Sequence, residues 1–142
     1  MKLYKALREK NLLVGKIKEL SMKIHRNNTI ISGNEFDYDI LELMSERDVI
    51  MSDLINLKLK IHKATIPAIE SIYTLAELKA KSQMLQGIPT EAGTITERFG
   101  DGVIEKVRIL SPKDLEKLRK EIDIQIGKIQ DQLDVFNHQT DI

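Results

Sequence analysis

The chain has 142 residues, no cysteine, no tryptophan, and 22 basic against 22 acidic side chains, so its formal net charge is zero. That length suffices for one domain that folds without a metal or a disulfide, and the missing cysteine excludes a disulfide framework, thiolate catalysis and cysteine-ligated zinc. Three tyrosines and three phenylalanines among so many charges suit long helices with an aliphatic core rather than sandwiches or ligand-binding barrels.

The chain opens Met1-Lys2-Leu3, and its longest early apolar run, Leu12-Leu13-Val14, is too short for a signal-peptide core or a membrane span. Neither export nor membrane insertion is expected, and the cytoplasm is the expected location. Leu3, Ala6, Leu13, Ile17, Leu20 and Ile24 recur at the 3-4 spacing of a coiled-coil helix, with Lys10 as a polar intruder. Gly15 inside this stripe costs about 1 kcal/mol relative to alanine and reads as tolerated.

Asn27 to Asn34 carries turn formers without a helical period and reads as a hairpin loop. A second helix starts near Asp39, with Glu42 completing a capping pair and Asp37 and Asp39 complementing the positive end of the helix dipole. It runs to about Ala64. Its seam is Leu43, Ile50, Leu54, Leu57, Ile61 and Ala64, interrupted by Arg47, and a second stripe runs beside it through Leu41, Met44, Met51, Ile55 and Leu59. A helix apolar on two faces must bury both, so these five residues are the expected oligomer interface unless the helix is central in a bundle.

Pro67 is expected to end that helix, with a connector following to Tyr73. Thr74-Leu75-Ala76-Glu77 reads as a capping box that opens a short helix over 74–86, through Leu78 and Leu85, closed by Gly87 and Pro89. From 94 to 110 the period becomes two: Ile95 and Phe99 precede Gly100-Asp101-Gly102, and Val103, Val107 and Ile109 follow it. This predicts a β-ribbon over 94–110, which must pack on another element or another copy because an isolated ribbon is marginal.

Ser111-Pro112-Lys113-Asp114 announces the last helix, 112–137, with Ser111 as cap, Pro112 in the favoured first position and Asp114 reaching back. Its seam is Leu115, Ile122, Ile126, Ile129, Leu133 and Phe136, with Arg119 as the break. No internal repeat or low-complexity tract stands out. The expected fold is mainly α: an antiparallel helical-hairpin or coiled-coil bundle of about four helices, with its hairpin over 1–64 and a short β-hairpin before the last helix, in a single domain 1–142.

Candidate chemistry is sparse. His25, His62 and His138 lack metal-ligand spacing. The acidic cluster Asn34, Asp37, Asp39 and Glu42 lacks the glycine and glutamate that an EF-hand needs, so helix capping explains it. Gly100-Asp101-Gly102 leads into a strand rather than a helix, which argues against a phosphate loop, and no Gly-x-Ser-x-Gly occurs. No catalytic residue, cofactor or metal is expected.

Charge is unevenly spread: residues 1–26 carry net +6, residues 34–53 net −6 and residues 121–142 net −4. Lys2, Lys5, Arg8, Lys16, Lys18 and Lys23 are the candidate polyanion contacts. The two acidic stretches offset them and no aromatic stacking platform accompanies them. The sequence therefore predicts a non-enzymatic, self-associating module, with an unidentified protein partner also admitted and nucleic-acid binding through the first helix as the alternative.

Met1-Lys2-Leu3 followed by Ala6-Leu7, Arg26-Asn27 at the end of the first helix, Thr74-Leu75, and the ending Asn137-His138-Gln139-Thr140-Asp141-Ile142 are similar to a family of small bacterial helical proteins labelled septicolysin-like. The resemblance covers nearly the whole chain. The family usually has Trp after the Asn and closes on Glu-Leu, where this chain has His138 and Asp141-Ile142; it tends to have Asn where His62 follows Ile61. The resemblance implies a helical, oligomeric protein. The membrane attack that the label suggests does not carry over, because no amphipathic segment combines a broad apolar face with Trp or Phe anchors.

Overall fold

A computed structural model describes residues 1–96, 100 and 102–142. The protein is mainly helical: α1 (Leu3–Asn27), α2 (Ile40–Thr65), a 3-10 turn (Ile66–Ala68), α3 (Ile69–Gln86), strands β1 (Gly93–Thr96) and β2 (Val103–Lys106), and α4 (Pro112–Gln139). Its contacts divide the chain into two units, one of Met1–Ala68 with Val135–Ile142 and one of Ile69–Asp134.

In the first unit α1 and α2 form an antiparallel hairpin whose seam follows the expected 3-4 spacing. Leu3, Ala6 and Leu20 are buried on α1, and Leu43, Leu54 and Ile61 on α2, with Lys10 and Arg47 half-buried between them. Leu3, Ala6 and Ile61 form a cluster closed by Leu7, Leu57, Ala64, Phe136 and Ile142. Asp39 caps α2, its Oδ1 accepting from the Leu41 and Glu42 amides at 3.0 and 3.3 Å. Around Gly15 no atom lies within 4 Å of where a Cβ would be, so this glycine serves no close approach.

The start of α1 has no side-chain cap. The first of its amides is met by the chain's end instead, the Leu3 N–H donating to the Thr140 carbonyl at 2.8 Å, and the Ile142 N–H in turn donates to the Met1 carbonyl at 2.9 Å. The Lys2 ammonium donates to Asp141 Oδ2 at 2.8 Å, and that hydrogen bond holds the Asp141 carboxyl below the ordinary aspartate range. Tyr4 and His138 stack with ring centroids 4.5 Å apart.

The expected connector to Tyr73 and the capping box at Thr74 are corrected by the structure. α2 passes into α3 through one 3-10 turn, so the helices separated by loops number three rather than about four. Proline fixes a backbone angle that a helical turn already has and removes only one donor, so it need not end the helical path. Thr65 Oγ1 donates to the Ile61 and His62 carbonyls, both at 3.0 Å, just before that turn. Burial at the same 4-3 spacing continues through Ala68, Ser71, Leu75, Leu78, Ser82 and Leu85. Burying Leu75 outweighs the capping chemistry of its neighbours, and Thr74 lies inside α3.

In the second unit Leu85, Leu115 and Ile122 form a cluster with Leu78, Ile88, Leu110 and Ile126 around it, so α3 and the first part of α4 make another antiparallel hairpin. The start of α4 is as expected. The Ser111 N–H donates to Asp114 Oδ2 at 2.9 Å while the Asp114 N–H donates to Ser111 Oγ at 3.1 Å, which completes a capping box and lowers the Asp114 carboxyl's affinity for its proton.

Before α4, β1 and β2 pair antiparallel, with Ile95 opposite Ile104. The ribbon is shorter than the expected 94–110. Gly93 has φ +96, turning the chain away so that nothing pairs beyond Lys106, and Arg108 Nη1 donates to the Thr90 carbonyl instead. Val107 and Ile109 thus lie outside the ladder, 90% and 99% exposed. Phe99 and Asp101, on which the alternation and the turn also rested, lie outside the described residues. Of the ribbon's described side chains only Ile95 is half-buried.

The two arginines that interrupt the seams differ in one respect. Arg47 Nε donates to Ser21 Oγ at 2.9 Å, whereas Arg119 Nε is buried with no hydrogen-bond partner among the described residues. A buried donor left unpaired costs about 1–3 kcal/mol, and an aliphatic replacement removes that cost. Arg119→Leu is accordingly expected to raise unfolding stability by about 1–2 kcal/mol, read as a higher urea midpoint. Arg47→Leu, which breaks a made hydrogen bond, gains less.

Candidate interaction surface on the second helix

Each side of the α1/α2 seam has a flank, and the two flanks differ in chemistry. On one, Glu9, Lys16 and Lys23 of α1 correspond by helical spacing to Lys60, Asp53 and Glu46 of α2, an opposite charge at each level of an antiparallel pair. Glu9, Asp53 and Lys60 line one shallow cleft there, with Leu13 and Leu57 at its floor. On the other flank α1 has Leu7, Val14 and Ser21, and α2 has Met44 and Met51, with Leu41 and Ile55 one step further round.

The five expected interface residues are all exposed in the chain, from Met51 at 39% to Leu41 at 75%. Leu41, Met44, Met51 and Ile55 form one row along α2 that also contains Asp48 and Lys58, with Leu59 at its rim. Both charged residues are exposed, and neither makes an ion pair among the described residues. Met44 and Asp48 lie beside Ser21, Ile24 and Arg47 in a shallow depression where the row meets the seam.

Whether this row serves the hairpin itself can be judged from α4, which repeats the seam of α2. With the caps Asp39 and Ser111 superimposed, Leu43 falls on Leu115, Arg47 on Arg119, Ile50 on Ile122, Leu54 on Ile126, Leu57 on Ile129 and Ile61 on Leu133. The same alignment sets Leu41 on Lys113, Met44 on Glu116, Met51 on Asp123, Ile55 on Gly127 and Leu59 on Asp131. A helix with the same seam therefore carries charge or glycine at every position of the second stripe. Packing one helical hairpin does not require that stripe.

This correspondence revises the expectation of no internal repeat. Its signal, Leu-x-x-x-Arg-x-x-Ile four residues after each cap, is present in the sequence, but the caps differ in type and only three of the six seam pairs are identical.

The candidate polyanion residues are not gathered on one face. Lys2 is engaged by Asp141 and by the Gln139 carbonyl at 3.2 Å, and the Lys23 ammonium lies 5.6 Å from the Tyr38 ring centre. Lys16 sits on the charged flank, and Lys5, Arg8 and Lys18 are distributed over the outer surface of α1. Among the described residues no three or more His, Asp or Glu side chains are grouped so as to hold a metal ion, and no helix is long and apolar enough to cross a membrane. No protein-family model, curated protein or solved structure matches the chain.

Proposed function

We propose that the protein is a non-enzymatic structural or interaction module that self-associates through the exposed row of α2. The supporting observation is the contrast between the two sister helices: seams alike, second stripes apolar in one and polar in the other. Apolar side chains in a continuous exposed row are stabilised by association, since each buried methylene contributes about 0.8 kcal/mol. The resemblance to the septicolysin-like family, which implies a helical, oligomeric protein, agrees with this reading.

Light scattering tests it directly. At micromolar concentration the expected mass is a multiple of the 16.3 kDa chain that falls on dilution. A mass of one chain throughout would overturn the proposal.

A further inference from the structure

Resting on self-association through α2, we infer that the occupant of this surface is the same surface of a second copy, with the two α2 helices antiparallel about a two-fold axis at the level of Asp53. A two-fold interface must be complementary to itself, so each residue of the row has to find an acceptable partner in the reversed row.

The order of residues along α2 satisfies that condition in one register. Reversal about Asp53 sets Met51 against Ile55 of the partner subunit, Asp48 against Lys58 of the partner subunit, Met44 against His62 of the partner subunit and Leu41 against Thr65 of the partner subunit. The two-fold generates each contact twice. Apolar side chains then meet at the centre, and the two charges of the row, without an ion pair among the described residues, neutralise one another on either side of it.

Other arrangements lack this match. Side by side in parallel at the same level, Asp48 meets Asp48 and Lys58 meets Lys58, and like charges in contact oppose association. A shift of one heptad either way in the antiparallel pair sets Asp48 against Met51 or Thr65 of the partner subunit, and Lys58 against Leu41 or Ile55 of the partner subunit. Each charge is then desolvated without a counter-charge. The charge pattern thus selects both direction and register, as flanking charges do in coiled coils. Two hairpins joined in this way make a four-helix arrangement in which α1 of each copy lies outside.

Charge reversal in the full chain tests the register. Asp48→Lys and Lys58→Asp, measured singly by sedimentation equilibrium, are each expected to raise the dimer dissociation constant about tenfold or more, because two symmetric attractions become repulsions. The double variant Asp48→Lys/Lys58→Asp restores both attractions with reversed sign and is expected to return the constant to within about threefold of the original. Both side chains are exposed, so an unchanged far-ultraviolet circular dichroism spectrum accompanies each variant. Single variants that dimerise as well as the original chain, or a double variant that does not recover, would overturn the antiparallel register while leaving self-association standing. An original chain that never dimerises would overturn both.

Discussion

Leu3→Ala is expected to lower the unfolding free energy of the first unit by about 3 kcal/mol, within the range of about 2–5 kcal/mol for emptying a buried leucine site. Leu3 is 0% exposed, the one large side chain fully enclosed among the described residues. Its neighbours are Ala6 and Ile61, with Phe136 and Ile142 contributed by the chain's end. These are held by backbone hydrogen bonds, Leu3 N–H to Thr140 and Ile142 N–H to Met1, so the walls have little freedom to collapse into the space left behind. In a Tyr73→Phe background, where the remaining tyrosines Tyr4 and Tyr38 both belong to the first unit, urea unfolding followed by the near-ultraviolet tyrosine signal, with Tyr4 stacked on His138, reads this region separately from α3. A matched truncation at a 99% exposed position, Ile109→Ala, is expected to change stability by less than about 0.5 kcal/mol. Equal losses at the two positions would show that the measured energy does not come from burial.

The seams were legible in the sequence because aliphatic spacing is itself the physical cause of which face is buried. Leu43, Leu54, Ile61, Leu115, Ile122 and Leu133 were read as core and are buried. The caps Asp39 and Ser111 were legible for a related reason, since their hydrogen bonds are made within the same turn. At Pro67 and Thr74 the local breaking and capping signals oppose the seam, and the seam decides. The 4-3 spacing continues past Ala64 to Ala68, Ser71 and Leu75 and so marks helical structure on both sides of the proline.

What local sequence could not show was the closure at the chain ends. Lys2 and Asp141 form an antiparallel bridge across almost the full length of the chain, and no periodicity relates residues so far apart. The difference between the two seam arginines was equally illegible: both stand in the same Leu-x-x-x-Arg-x-x-Ile pattern, and only the packed structure gives Arg47 Nε a partner and leaves Arg119 Nε without one among the described residues. The candidate surface falls between these cases. Its five residues were named from spacing, but that they are left uncovered within the chain depends on which flank of α2 the first helix occupies, and that follows from the packing.

Met51→Glu combined with Ile55→Glu is expected to weaken self-association by about 100-fold or more, the largest effect on assembly anticipated from any surface change in this protein. Both side chains are exposed in the chain, so their replacement is expected to leave the stability of a lone hairpin within about 0.5 kcal/mol. In the assembled state each new carboxylate faces another across the two-fold, and four like charges replace an apolar centre. The sister helix provides the control. Gly127 stands where Ile55 does, and no atom lies within 4 Å of where its Cβ would be, so Gly127→Glu adds one such charge, the counterpart of Ile55→Glu, on a matching turn without a clash. It is expected to stabilise α4 slightly, glutamate being the better helix former, and to leave the solution mass as it was. If Gly127→Glu dissociated the protein as effectively as Met51→Glu/Ile55→Glu, added charge in general would be the cause, and the row on α2 would lose its claim to be the surface on which copies meet.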